Sequence, residues 1–207
     1  MLSHFVKCLV IAGLLNFCLP AWAKLSDAEA VNVSGLQRML SQRIAKSYLM
    51  IGQKVSVLEA QKQRQASVEL FDKNLLALKE YAPTTDISKG LNNVEGVWLG
   101  YKKRVLTPPQ RDNALTVIRQ SDEVLKLSEV VVKLIQDYSK VSGAKLVNVS
   151  GRQRMLSQRI GKLYLTKSWG LQYDGLDQDL QTAINDYDNA LQMLSTSEEI
   201  GRASCRE

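Results

Sequence analysis

Two arginines in identical surroundings are the side chains of this sequence best suited to chemistry. Arg38 stands three residues after Gly35, and Arg154 stands three residues after Gly151, in the shared string VNVSG-x-QRMLSQRI. A guanidinium presents a planar fork of N–H donors that matches an oxyanion. A glycine inside a helix costs about 1 kcal/mol relative to alanine. Since the chain repeats this costly glycine, we expect a crevice in which another backbone comes close and the arginine is confined.

The two arginines belong to a repeated segment. Residues 31–50 and 147–166 are identical at 16 of 20 positions, at an offset of 116 residues. The similarity continues beyond the motif, where residues 183–194 align with residues 67–78. A period this long indicates a tandem domain, because solenoid repeats span only about 20–50 residues.

A helical wheel divides the repeated segment into two faces. With steps of about 100° per residue, apolar side chains gather opposite Arg38, where they would pack into a bundle. The face around Arg38 is small and polar. Its members and their equivalents in the second copy are predicted to support a ligand: Ser34, Ser41, Gln42, Ser150, Ser157 and Gln158. The wheel places Arg43 about 140° from Arg38, which predicts a supporting or inter-helix role for Arg43 and its equivalent Arg159.

The pattern of apolar residues predicts an all-α protein. Four amphipathic segments with short connections favour an antiparallel four-helix bundle over residues 24–139. Ser26 and Glu29 form a capping box before the first segment; Asp86 or Ser88 is predicted to cap the third. A second bundle, over residues 140–198, is predicted to contain only its first two helices.

Both ends of the chain are predicted to lie outside the mature fold. Residues 1–23 have the basic start, short apolar run and small-x-small end of a secretory signal, which predicts cleavage after Ala23 and a periplasmic protein. An uncleaved membrane anchor is the alternative. Residues 199–207 resemble a translated sequencing adapter and are set aside as a non-native tail.

Composition limits the classes of function. Residues 24–198 contain no Cys and no His, and they carry 24 Lys and Arg against 19 Asp and Glu, a net charge of +5. The usual nucleophiles, general bases and metal ligands are therefore missing. We expect no enzyme, no cofactor, no metal site and no nucleic-acid partner. A small inorganic anion is the more natural partner of a mildly basic exported protein.

The string DAEAVNVSGLQRMLSQR (27–43) resembles the periplasmic box of the NarX/NarQ nitrate/nitrite sensor kinases and the PilJ-type N-terminal domain of type IV pili chemotaxis transducers. Leu36-Gln37 and Leu40-Ser41-Gln42 look closer to the PilJ pattern. The resemblance implies a four-helix sensor bundle outside the inner membrane. It also implies two first helices that meet in parallel across a dimer with an anion between them. Carried over by position, the ligand-binding residues would be Gly35, Arg38, Gly151 and Arg154.

The sequence supports two hypotheses about function. The first is a sensor-type protein that binds a small oxyanion of the nitrate/nitrite class and signals to a membrane sensor kinase or transducer. The alternative is a helical adaptor of a pilus or chemotaxis-type system that binds no ligand. If the chain breaks at Ser142-Gly143, the two motif helices meet within one chain. One unbroken helix over residues 112–169 would instead require a homodimer.

Overall fold

The first helix in the described part of the chain is central, and the other described helices are arranged around it. The computed structural model describes residues 24–140 and 143–196. Six helices run through them: α1 Asp27–Gly52, α2 Val57–Tyr81, α3 Thr85–Val105, α4 Arg111–Ser139, α5 Ala144–Ser168 and α6 Leu176–Ser195. The described residues contain no strand, so the all-α prediction is confirmed. The predicted signal sequence and the C-terminal tail lie outside them.

The starts of α1 and α3 follow from local sequence. Ser26 and Glu29 form the predicted capping box at α1. The cap of α3 differs from the prediction, because the Thr84 hydroxyl accepts a hydrogen bond from the Ile87 N–H at 3.3 Å. Thr84 is extended and directly precedes the helix, which is the backbone geometry an N-cap requires. Asp86 and Ser88 lie inside α3.

The first four helices form the predicted antiparallel bundle. Polar contacts show that neighbouring helices run in opposite directions, because a residue late in one helix contacts a residue in the first half, or at the middle, of the other. These contacts join Tyr81 to Asp27 at 2.8 Å, Lys79 to Glu95 at 2.6 Å, Arg104 to Gln120 at 3.1 Å and the Gln110 N–H to the Tyr48 hydroxyl at 3.1 Å. The bundle prediction is therefore confirmed.

Aromatic side chains fill the centre of the bundle. Trp98 stacks on Phe71 with ring centroids 3.9 Å apart. The indole N–H of Trp98 donates to Asp72 Oδ1 at 2.8 Å, which satisfies the polar end of a side chain that is otherwise buried. Tyr101 contacts Trp98 edge-on, so α2 and α3 supply the aromatic part of the core against which α1 packs.

A break after α4 turns the chain back along α1. Lys140 and Gly143 have positive φ angles of 47° and 82°, and Gly143 occupies the cap position of α5. The predicted cap, Ser142, lies outside the described residues. The unbroken helix is therefore wrong. A left-handed residue ends α4, and glycine permits the second left-handed position at the start of α5.

Candidate functional site at a crossing of two parallel helices

Helices α1 and α5 lie side by side, parallel and in the register of the sequence repeat. Near their C-terminal ends, the Gln53 amide donates to the Leu165 carbonyl at 2.9 Å, and the Ser168 hydroxyl donates to Gln53 Oε1 at 2.7 Å. Arg38, at the middle of α1, reaches Asn148 near the start of α5. The repeated motifs therefore face each other within one chain, and this arrangement needs no second subunit.

The two motif glycines mark the point of close approach. A Cβ atom on Gly151 would lie 3.9 Å from the Gly35 Cα atom. The same position is 3.2 Å from Arg38 Nη2 and 3.7 Å from Arg154 Nη2. The structure therefore brings all four predicted ligand-binding residues together, and it gives the repeated glycine a packing reason.

Arg38 is completely buried, and its charge is neutralised inside the protein. Arg38 Nη1 donates to Glu129 Oε2 on α4 at 2.7 Å. Arg38 Nη2 donates to Oδ1 of Asn148 at 2.7 Å and to the Asn148 carbonyl at 3.3 Å. A carboxylate thus occupies the position expected for an anion, and Arg38 ties α1 to both α4 and α5. The sequence analysis missed Glu129 and Asn148.

Arg154 has the same local sequence and a different environment. Its side chain is exposed, and Arg154 Nη2 donates to Asn32 Oδ1 at 3.0 Å. Asn32 and Asn148 are equivalent in the repeat, so the two arginines make reciprocal contacts across the helix pair. No carboxylate forms an ion pair with Arg154 among the described residues. The repeated Asn is a signal that could have identified these partners from the sequence.

The serines of the predicted site are turned into their own helices. Each hydroxyl donates to the carbonyl three residues earlier, for Ser34, Ser41, Ser150 and Ser157. A serine bonded in this way has used its donor on the backbone. Gln42 Nε2 donates to the Ser121 carbonyl of α4 at 3.0 Å, whereas its equivalent Gln158 reaches only Ser157. These residues support packing more directly than they support a ligand.

A second cluster of charges joins α4 to α5. Lys162 is completely buried and donates to Asp122 Oδ1 at 2.7 Å. Arg159 lies 3.8 Å from Asp122 and 3.7 Å from Asp179 on α6. Burial lowers the pKa of Lys162, although the charge of Asp122 opposes this shift. Arg159 therefore lies between Asp122 of α4 and Asp179 of α6. The sequence analysis missed Asp122 and Lys162.

Comparison with known proteins gives a family. The sequence profile described as "Type IV pili methyl-accepting chemotaxis transducer N-term" (PilJ) matches residues 20–124 and 139–203. The chain belongs to the PilJ family. No curated protein matches it, and no solved structure matches it. The second matched segment includes α5 and α6, so the family match extends to both copies of the motif.

Membership in the PilJ family places this chain in a sensor-type region of a chemotaxis transducer system. Within residues 24–140 and 143–196, no helix has the length and apolar character required to span a bilayer.

Unfolding at alkaline pH tests how tightly the core packs against the repeated motif of α1. Tyr101 is fully buried, and its hydroxyl donates to the Ser41 carbonyl at 2.8 Å. Burial, with a smaller contribution from Asp122, raises the pKa of Tyr101 well above 10.0. Above about pH 10 the unfolded chain therefore loses this proton first, and stability should fall by about 1.4 kcal/mol per pH unit. Below about pH 10, Tyr101 is protonated in both the folded and the unfolded chain, so this loss of stability does not occur.

Tyr101→Phe should make the alkaline loss of stability less steep by about that amount. Urea unfolding between about pH 8 and 11 measures it. Tyr81 and Tyr173 also have raised pKa values. The parent and the Tyr101→Phe variant both contain them, so their effects cancel when the two slopes are compared. Equal slopes for the two proteins would show that Tyr101 is accessible to solvent.

Proposed function

We propose that the chain is a periplasmic sensor-type module that acts through helix packing and passes a signal to a transducer partner. One observation carries this proposal: α1 and α5 form a parallel pair whose centre is held by Arg38, Glu129 and Asn148. The only His and all Cys of the chain fall outside residues 24–198. A non-catalytic role is accordingly part of the proposal.

The helix pair has a defined resting register. Arg38 holds Asn148, and Arg154 holds Asn32, so a shift of α5 along α1 breaks both contacts together. One turn of such a shift is about 5.4 Å. Because Arg38 also holds Glu129, the same movement changes the contact between α1 and α4. This coupling of three helices gives a physical route by which an event at α5 reaches the first bundle.

Pilus-dependent surface movement provides the test in a cell that carries the gene. Deletion should alter movement, and the intact chain should restore it. A Gly151→Leu chain should fail to restore it, because the added side chain separates α1 from α5. Gly96→Leu is the matched control, since a Cβ on Gly96 meets nothing within 4 Å. Unchanged movement in the deletion strain would reject the proposed function.

Export is the part of the proposal that rests on the N-terminal sequence. Cleavage after Ala23 should leave Lys24 as the first residue of the protein in the periplasmic fraction. Intact-mass measurement of that fraction gives the answer directly. Recovery of the chain with residues 1–23 attached, in a membrane fraction, would replace the cleaved signal with an anchor.

A small oxyanion is a second candidate for the signal, and the state of Arg154 favours it. Arg154 is exposed, borders Arg38 at the glycine crossing and has only a neutral acceptor in Asn32. An anion on Arg154 would take the place that the Glu129 carboxylate has at Arg38, through charge-assisted hydrogen bonds of about 1.5–3 kcal/mol each. The resemblance to nitrate/nitrite sensors supports an anion at Arg154. It does not support one at Arg38, because Glu129 already pairs with that guanidinium.

If this candidate is right, nitrate, nitrite or phosphate should raise the melting temperature relative to chloride at equal ionic strength. A ligand that binds only the folded state stabilises it by about 2.7 kcal/mol at 100 times its Kd. The increase should disappear in Arg154→Ala and persist in Arg152→Ala, a neighbouring exposed arginine that pairs with Asp186. A shift of the same size for chloride, or one retained in Arg154→Ala, would remove the candidate.

A further inference from the structure

Equivalent residues of the two motifs have opposite exposure. In α1, Arg38, Ser41 and Tyr48 are all 0% exposed. In α5, Arg154 and Ser157 are exposed, and Tyr164 is 65% exposed. The side chains are chemically the same in both helices. The second copy thus keeps a surface that is suited to burial and is left uncovered by the described residues.

On the covered side of the α1–α5 pair, α4 provides two carboxylates seven residues apart. Asp122 pairs with Lys162 and Arg159 of α5. Glu129 pairs with Arg38 of α1. A spacing of seven residues is two helical turns, so both carboxylates point from one face of α4 into the groove between α1 and α5.

The opposite side of the pair carries the equivalent cations without these partners. We define the open side by Arg43 and Lys46 of α1 and by Arg154, Ser157 and Tyr164 of α5. The repeat relates Arg43 to Arg159, Lys46 to Lys162 and Arg154 to Arg38. Among the described residues, none of the three open-side cations forms an ion pair.

Two of the three open-side cations, Arg43 and Lys46, are already partly dehydrated. Arg43 Nε is buried and has no hydrogen-bond partner in the described part of the chain. Burial lowers the pKa of Lys46, and the charge of Arg43 lowers it further. Burying cations without carboxylate partners is unfavourable. The open side therefore lacks negative charges as well as a packing partner.

We propose that the open side binds a partner helix that carries two carboxylates seven residues apart, one for Arg43 and Lys46 and one for Arg154. The helix lies on this side of the pair as α4 lies on the other. The main-chain carbonyl next to its first carboxylate accepts a hydrogen bond from Gln158 of α5, as the Ser121 carbonyl accepts one from Gln42 of α1. The inference deepens the proposed function, on which it rests, by giving the chemistry of the partner.

A synthetic peptide of residues 107–140 provides a probe with this pattern. Labelled with a fluorophore and titrated with the full chain, it should bind saturably, as measured by anisotropy. A peptide carrying Asp122→Asn and Glu129→Gln should bind at least about tenfold more weakly, because each charge-assisted hydrogen bond contributes about 1.5–3 kcal/mol. Comparison of the two peptides distinguishes recognition of the carboxylates from non-specific association of an amphipathic helix.

Variants of the chain then assign the surface. Arg154→Ala should weaken binding of the unchanged peptide about tenfold or more, whereas Arg152→Ala, on the side facing α6, should leave it unchanged. Equal effects of both variants, or no binding at roughly 1 mM peptide, would overturn the proposal. Those results leave the movement test of the proposed function unaffected. A dimer of the chain that dissociates in Arg154→Ala would assign the open side to a second copy and would also overturn it.

Discussion

Replacing Arg38 with alanine should lower the free energy of unfolding by about 3 kcal/mol. The Arg38 side chain is completely buried and binds Glu129 and Asn148. Its removal leaves a cavity between three helices and leaves the half-buried Asn148 amide oxygen without its donor. Glu129 is 45% exposed, so water can solvate the released carboxylate and limit the loss. Urea unfolding of the two proteins measures the difference.

Arg154→Ala is the matched control, because the sequence around Arg154 is almost the same. Its side chain is exposed and has one neutral partner, so its removal should lower the free energy of unfolding by less than about 1 kcal/mol. The expected result is therefore a large difference between two nearly identical substitutions. Equal losses would contradict the environments described for the two arginines.

Gly151→Leu should lower the free energy of unfolding by about 2 kcal/mol and loosen the α1–α5 pair. Even a Cβ at this position would lie 3.2 Å from Arg38 Nη2. Arg38 cannot easily move, since Glu129 and Asn148 hold both ends of its guanidinium. The longer side chain must separate the helices or break these contacts. Hydrogen exchange should consequently become faster along α5.

The control for this substitution is Gly96→Leu in α3. Leucine gains nearly 1 kcal/mol of helix propensity over glycine at both positions. Gly96 has open space around it, so this variant should be as stable as the parent or more so. The difference between the two variants isolates the close approach of the helices. If Gly151→Leu is also stabilising, α1 and α5 do not pack at the glycine crossing in solution.

The sequence was sufficient for the fold because its signals are local. The capping box at Ser26 and the apolar periodicity each specify helices without reference to distant residues. The repeat also indicated that Gly35 and Gly151 serve a close approach. These features determine where α1 to α4 run, and the structure confirms them. The division into two domains and the ligand-binding role of the arginines stay predictions.

The environment of each arginine could not be predicted from the sequence. Glu129 is 91 positions from Arg38, and only the rotation of α4 about its axis decides that this carboxylate faces the motif. The same applies to Asp122 and Lys162. Identical strings around Arg38 and Arg154 predict identical roles, yet the helices packed beside them differ. Tertiary contacts therefore separate two sites that local sequence makes equal.

Because the connection between Ser139 and Ala144 is short, pairing of the two motif helices does not depend on how many copies of the protein a cell contains. Two separate subunits would pair their motif helices only above their dissociation constant, so pairing would vary with expression. Covalent linkage replaces that encounter with an effective concentration on the order of millimolar. The motif pair then stays assembled in a cell that contains only a few copies. Each half is also free to acquire its own substitutions, since a change in one copy is not imposed on the other.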